Sequence, residues 1–88
     1  MRTPIAPIAY TPPPADLPVF PQAKRTKSKT SFPGGLRARW KGGDRIYEWD
    51  YEKGRVEAYT RNGTHVGEFD HITGKQTGEA IPGRKVEP

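Results

Sequence analysis

Proline is concentrated in the first quarter of the chain, and this restricts the fold more than any other feature. Seven of the ten prolines fall within the first 21 residues. Proline fixes φ and lacks a backbone N–H, so this density excludes a regular helix or a central strand and favours extended chain. We expect residues 1–30 to form a Pro-rich, basic arm or linker containing at most a short helix. Because Leu17 and Phe20 are apolar, we expect part of this segment to lie against a folded domain formed by residues 31–88.

The rest of the chain reads as short strands separated by glycine-containing turns. Alternating apolar and polar residues over short runs indicate half-buried strands. The runs that fit are 36–40, 45–50, 55–59, 65–69, 75–77 and, more weakly, 84–86. The Asn62-Gly63 pair predicts a type I′ hairpin turn. No long stretch has helical periodicity, so we predict a mainly β domain with a small antiparallel sheet of four to six short strands.

Composition excludes several classes of function. The chain has no cysteine, which rules out disulfides and cysteine-based zinc sites. No apolar run approaches the roughly 18 residues of a membrane span, so we expect no membrane insertion by this domain. The formal net charge is +5, and residues 24–45 carry eight basic residues against one acidic residue. Such a stretch suggests a polyanionic partner, although a solvated linker remains an alternative.

The hairpin around residues 51–54 is predicted to gather carboxylates. If Asp50 pairs with Arg55, then Glu48 faces Glu57, because side chains alternate between the faces of a strand. The same register places Ala58 opposite Gly67 in the following hairpin. One face then carries Glu48, Asp50, Arg55 and Glu57, and the other carries Tyr47, Trp49, Val56 and Ala58. Clustered carboxylates raise one another's pKa, which suits a general base. The alternative is a solvent-facing group with Arg55 as its counter-ion.

The two histidines give little guidance alone. His65 is expected on the apolar side of the sheet, where a structural histidine is the commoner case, and His71 is expected in a surface turn. Neither has the spacing of a metal-ligand set. We therefore predict no metal site and no cofactor.

Two motifs carry a resemblance to a known family. They are Y-E-W-D at 47–50 and G-x-F-D-x-x-T-G at 67–74, preceded by R-W at 39–40. Together they resemble the ribosome-inactivating ribonuclease domain of the E-type colicins, cloacin and related pyocins, over about residues 36–84. The resemblance implies a highly twisted antiparallel sheet. It also implies a metal-independent endoribonuclease that cuts 16S rRNA at the decoding site by attack of a 2′-OH.

The family's site residues map onto this chain with one departure. Asp50, Glu57 and Arg84 match, with Glu57 as general base and Arg84 stabilising the developing charge. Lys53 stands where the family has histidine; lysine's pKa near 10.4 makes it a weaker proton donor at neutral pH than histidine at about 6.5. His71 or His65 is an alternative acid. The expected RNA-binding residues are Arg37, Arg39, Lys41, Arg45, Tyr51 and Arg55.

The resemblance also implies partners and a setting. The partners are 16S rRNA in the small ribosomal subunit and a cognate, acidic immunity protein, and the domain is expected to be a monomer. It is expected to leave the producing cell as part of a larger toxin and to act in the cytoplasm of a target bacterium. Two alternatives stay open: an attenuated or non-catalytic ribosome-binding module of the same fold, and the same nuclease delivered by a contact-dependent inhibition system.

Overall fold

The protein is built from short strands. The computed structural model describes residues 9–88, so the start of the expected arm lies outside the described residues. Between residues 9 and 88 no segment is helical, and so none is a helix that could cross a membrane. The strands are β1 (Lys24–Thr26), β2 (Ser31–Phe32), β3 (Gly35–Leu36), β4 (Arg39–Gly42), β5 (Arg45–Asp50), β6 (Arg55–Thr60), β7 (His65–Phe69) and β8 (Gln76–Glu79). The predicted mainly β class is confirmed.

Six strands form one antiparallel sheet in the order β1-β4-β5-β6-β7-β8, while β2 and β3 form a separate two-stranded sheet. In the β5–β6 hairpin Asp50 pairs with Arg55 and Glu48 pairs with Glu57. The predicted register of this hairpin is therefore confirmed. Ala58 also lies opposite Gly67, as expected for the next hairpin.

The core lies between one face of this sheet and the Pro-rich segment. Trp49 and Val56 are fully buried on that face, and Leu17 from the Pro-rich segment is only 2% exposed against them. The ring of Phe20 stacks on Tyr47 with the ring centres 4.8 Å apart. The expectation that part of the Pro-rich segment packs on the folded domain is thus confirmed.

Strand β1 lies inside the segment that we expected to be an arm. It forms an edge of the main sheet, with Arg25 opposite Trp40 and its guanidinium 5.2 Å from the centre of that ring. At Gly42 a Cβ atom would meet the carbonyl of Gln22, so the chain before β1 packs tightly on the turn after β4. The folded body therefore includes residues before position 31.

The single strand predicted over 36–40 is divided into β3 and β4. Leu36 ends the small β2–β3 sheet and is 55% exposed, whereas Arg39, expected to face solvent, is 1% exposed. Burial and exposure do not alternate along β4 because both faces of the main sheet are covered at this point. Trp40 joins the core on one face, and Arg39 lies beside Glu48 on the other.

The turn at Asn62-Gly63 differs from the predicted type I′ turn. A type I′ turn needs positive φ at both residues. Gly63 has φ +88°, but Asn62 does not have positive φ, because only glycines do in residues 9–88. The Gly63 N–H donates to the Thr60 carbonyl, which makes a type I turn followed by a left-handed glycine. The carboxyl-terminal segment requires this shape, since a Cβ at Gly63 would meet the carbonyl oxygen of Val86.

A β-bulge follows this turn. Ala58 pairs with Gly67, but the next residue, Tyr59, pairs with His65, so Val66 is an extra residue on β7. An extra residue reverses the face on which the preceding side chain lies. His65 is therefore on the same face as Glu57, not on the apolar face that we predicted.

Candidate active site

Three glutamates form a row across the centre of the sheet. Glu57 on β6 is directly opposite Glu48 on β5 and Glu68 on β7. Glu48 and Glu57 are 0% and 2% exposed, so the idea that the carboxylate face is solvated is wrong. Asp50 lies beside the row, and its carboxylate oxygen is within 4.8 Å of those of Glu57 and Glu68. Like charges opposite one another destabilise a sheet, so each carboxylate needs its own compensation.

Glu48 is compensated by a buried ion pair. The Arg39 guanidinium approaches Glu48 Oε2 through Nη2 at 2.7 Å and donates from Nε at 2.9 Å. The Thr30 hydroxyl donates to the same oxygen at 2.7 Å. This arrangement has no accessible surface on either charged group, so we assign Glu48 to the stability of the fold.

Glu57 is compensated differently and remains next to open space. His65 Nε2 lies 2.8 Å from Glu57 Oε1, and Arg84 Nη1 lies 3.6 Å from the same oxygen. His65 Nδ1 accepts a hydrogen bond from the backbone N–H of Ile81 at 2.9 Å. Since Nδ1 accepts, the proton of the neutral ring is on Nε2 and points at Glu57. The histidine therefore acts as a fixed donor that orients the carboxylate.

The carboxyl-terminal segment brings Arg84 to this carboxylate. Lys85 bridges to Thr64, and the Arg84 carbonyl accepts a hydrogen bond from the His65 N–H. Only Lys85 of the weak strand predicted at 84–86 makes a sheet-like pairing. The guanidinium of Arg84 then borders a cleft of about 300 Å³ that Glu57 and Glu68 also line. Residues lining this cleft include Lys53, Glu57, His65, Glu68, Thr77 and Arg84.

Lys53 reaches the cleft from the loop between β5 and β6. Asp50 Oδ1 accepts hydrogen bonds from the N–H groups of Glu52 and Lys53, which fixes the loop. The Lys53 ammonium lies 3.3 Å from Glu68 Oε2 and its side chain is 65% exposed. Thr77 donates to the other oxygen of Glu68 at 2.8 Å. Lys53 is thus held at the edge of the cleft by a glutamate.

The structure brings Asp50, Lys53, Glu57 and Arg84 together, as the sequence suggested. Of the two alternative acids, His65 joins this group and His71 does not. His71 packs edge-on against Trp49, 5.0 Å between ring centres, on the opposite face of the sheet.

The expected RNA-binding residues do not form one surface. Arg39 is 1% exposed and lies against Glu48, so a phosphate cannot reach its guanidinium, contrary to the expectation. Arg45 lies on the core face, 5.9 Å from the centre of the Phe69 ring. Arg55 is 3.8 Å from Asp70. The remaining three, Arg37, Lys41 and Tyr51, are half-buried or exposed.

Glu68 is a cleft residue that the sequence analysis missed. The predicted pairing of Ala58 with Gly67 already placed Glu68 opposite Glu57, so the signal was present in the register. Tyr59 also lies on the carboxylate face, with its ring centre 5.2 Å from that of His65. Burial raises the pKa of the Tyr59 phenol, which keeps it neutral at physiological pH.

Known proteins share this sequence pattern. A family model described as Cytotoxic matches residues 11–87. Cloacin from Escherichia coli is 42% identical over 71 residues, which cover 75% of this chain and 13% of cloacin. Colicin E3, also from Escherichia coli, is 44% identical over 57 residues, which cover 61% of this chain and 10% of that protein. The chain spans about a tenth of the length of these relatives. It belongs to the family of colicin and cloacin cytotoxic domains.

Proposed function

We propose that this chain is the endoribonuclease domain of a bacteriocin toxin and that it stops translation by cutting 16S rRNA at the decoding site. One observation carries the proposal. Glu57 is a buried carboxylate that accepts a hydrogen bond from His65, has Arg84 beside it, and borders an open cleft. A fixed base next to a guanidinium is the arrangement that 2′-OH attack on a phosphodiester requires.

In the proposed reaction Glu57 accepts the proton of a ribose 2′-OH. The 2′ oxygen attacks the adjacent phosphorus, and the bond from phosphorus to the 5′ oxygen breaks. The products are a 2′,3′-cyclic phosphate and a strand with a free 5′-hydroxyl. Arg84, 3.6 Å from Glu57, stabilises the negative charge on the phosphoryl oxygens. His65 holds the carboxylate in position and gives up no proton.

The proton for the leaving 5′ oxygen is assigned to Lys53. Its ammonium borders the same cleft as Glu57 and is kept close to it by Glu68. His65 is a poor choice for this step, because its Nε2 proton is engaged by Glu57 and its Nδ1 by Ile81. An ammonium neutralises charge on the leaving oxygen well but releases its proton reluctantly. We therefore expect slow cleavage.

The reaction is proposed to need no metal ion. Lys53 and Arg84 already place positive charge beside the carboxylates of Glu57 and Glu68. Cleavage that continues in excess EDTA is the expected outcome, and loss of cleavage restored by Mg²⁺ would contradict it.

A second candidate is a non-catalytic or attenuated ribosome-binding module of the same fold. The observation that favours it is that Lys53, at the position where we expect the family's histidine, is paired with Glu68 at 3.3 Å. Loss of a proton donor typically reduces a rate by about 10²–10⁴-fold. Such a chain would bind ribosomes without cutting them efficiently.

The deciding experiment is incubation of intact 70S ribosomes with the purified chain, followed by gel analysis of the 3′ end of 16S rRNA. Glu57→Gln and Lys53→His are measured beside the parent. Glu87→Gln is the matched control, because Glu87 is exposed and, among the residues that the structure describes, forms an ion pair only with Lys29, at 3.9 Å. Each variant is checked for folding by its thermal melt.

Each result of this experiment has one meaning. A single 3′ fragment that disappears with Glu57→Gln and persists with Glu87→Gln supports the nuclease. An inert parent with an active Lys53→His variant identifies an attenuated nuclease. If neither cuts rRNA but both bind ribosomes, the non-catalytic module is correct.

The wider setting is part of the same proposal. The chain would act in the cytoplasm of a target bacterium after release from its producer within a larger toxin, or after delivery by a contact-dependent system. An immunity protein that protects the producer would carry acidic residues, because the surface it covers attracts rRNA. Size-exclusion chromatography is expected to show a monomer.

A further inference from the structure

A small aromatic cavity lies next to the carboxylate cleft and has no part in the chemistry described above. Its volume is about 100 Å³, and Tyr10, Phe32, Arg37, Asp50 and Tyr51 contribute to its lining. Asp50 is shared by the cavity and the carboxylate group around Glu57. A ligand in this cavity is therefore next to whatever occupies the cleft.

The walls of the cavity are held in place before any ligand binds. Phe32 and Tyr51 stack with their ring centres 4.3 Å apart, and Tyr10 meets Phe32 edge-on at 5.4 Å. The segment carrying Tyr10 is tied down because the Thr11 N–H donates to the Tyr51 carbonyl and the Thr11 carbonyl accepts from Trp49 Nε1, each at 2.8 Å. Flat, fixed aromatic surfaces are the usual means of holding an unpaired nucleobase.

Charged side chains line the cavity beside the rings, namely Arg37 and the carboxylates of Asp50 and Glu52. Arg37 is half-buried in the lining, and within residues 9–88 no carboxylate lies in ion-pair distance of its guanidinium. A guanidinium without a carboxylate partner is available to a phosphate. The cavity thus offers an aromatic surface for a base and a cation for the phosphate of the same nucleotide.

We propose that this cavity binds an unstacked base of the RNA strand, next to the nucleotide whose 2′-OH faces Glu57. Tyr51 and its neighbours hold the base, and Arg37 holds its phosphate. The proposal rests on the RNA-cleaving function above, since it names a subsite for the same strand. It explains why the amino-terminal segment crosses the loop that carries Lys53: Tyr10 completes the cavity.

The test measures binding separately from cleavage. All proteins carry Glu57→Gln, so that RNA is not cut during the measurement. Fluorescence anisotropy gives the affinity for single-stranded oligoadenylate of about eight nucleotides, a usual length for such sites, and for an abasic ribose-phosphate strand of equal length. The ratio of the two affinities reports the contribution of the bases alone.

The change Tyr51→Leu is expected to lower this ratio by about 5- to 100-fold, which is the usual value of one stacked base. The change Tyr51→Phe should keep the ratio, because the ring remains. Phe20→Leu is the control for loss of an aromatic ring elsewhere, since Phe20 stacks on Tyr47 and does not line the cavity. Arg37→Gln should weaken both strands equally, because it removes only a phosphate contact.

The proposal and the nuclease function can fail separately. The base subsite is overturned, even if the parent cuts rRNA, by either of two results. The Glu57→Gln protein binds both strands equally well, or Tyr51→Leu leaves the affinity ratio unchanged. If the ratio falls with Tyr51→Leu while the parent leaves 16S rRNA intact, the base subsite is supported and the nuclease function is contradicted. If Tyr51→Leu does not fold, the affinity ratios of the Glu57→Gln protein and of its Tyr51→Phe variant still show whether the bases contribute to binding.

Discussion

His65 Nε2 donates a hydrogen bond to Glu57 Oε1 at 2.8 Å, and both side chains are almost completely buried. The bulge at Val66 turns His65 to this face, and the Ile81 N–H fixes its tautomer. The hydrogen bond holds the carboxylate at one angle toward the cleft. His65 is therefore a positioning residue for the proposed base.

The change His65→Leu should lower the rate of rRNA cleavage and leave substrate binding nearly unchanged. It removes the donor that orients Glu57, and we expect kcat to fall by about 10- to 100-fold, with KM changed little. Single-turnover cleavage of ribosomes at several concentrations separates the two quantities. His71→Leu is the control, because His71 lies on the opposite face. Equal losses in both variants, or a change in KM alone, would show that His65 has no positioning role.

The buried pair of Arg39 and Glu48 should matter for stability and not for cleavage. The change Glu48→Leu leaves the Arg39 guanidinium buried without its partner, which typically costs about 3–5 kcal/mol. The double variant Arg39→Met with Glu48→Leu should recover most of that loss, since apolar replacements of buried pairs are often neutral. Urea unfolding measures both values. A double variant as unstable as the single one would contradict this account.

Asp70 should make the stability of the fold depend on pH under acidic conditions. Hydrogen bonds from the N–H groups of Thr73 and Ile72 lower the pKa of Asp70 below its usual 3.8. A lowered folded-state pKa contributes stability that is present above the unfolded value and is lost as pH falls through the folded value. The parent should therefore lose stability below about pH 3.8 more steeply than Asp70→Asn. Thermal melts between neutral pH and pH 2 measure the two curves, and parallel curves would refute the assignment.

The change Gly63→Ala should affect the active site from a distance. Both Gly63 and Gly74 have positive φ, at +88° and +76°, so alanine strains the backbone at either position. Only at Gly63 would the added Cβ meet the carbonyl of Val86 and displace the segment that carries Arg84. We expect Gly63→Ala to lose about 1–3 kcal/mol more stability than Gly74→Ala and to cut rRNA more slowly.

Matched melts and cleavage rates of these two glycine variants decide this prediction. Near Gly74 the added atom would make only ordinary contact with Val19. Equal effects in the two variants would mean that the contact with Val86 does not hold Arg84 in place.

The β5–β6 hairpin could be read from the sequence because two local features define it. Side-chain alternation sets the faces, and the four-residue loop after Asp50 sets the pairing. The placement of Glu48 against Glu57 followed from these features alone. The same rule, applied to the next hairpin, places Glu68 opposite Glu57.

His65 and Arg39 could not be placed from local patterns. The bulge at Val66 depends on the carboxyl-terminal segment, which packs on Gly63 and sets the shape of the turn before β7. Arg39 is buried because it pairs with Glu48 on another strand. The pattern of a single strand predicts instead that a basic residue faces solvent. Both errors arose where distant parts of the chain decide which face is covered.

The order of the strands has a consequence for the way in which this protein folds. From β4 to β8 each strand pairs with its neighbour in the chain, across connections of two to six residues. Pairings across such short connections close small loops, and closing a small loop costs less chain entropy than pairing distant segments. Asp50, Lys53, Glu57 and His65 all lie in this part of the chain. A molecule that has been unfolded can therefore rebuild most of its cleft by successive hairpin closures, with the amino-terminal segment joining afterwards.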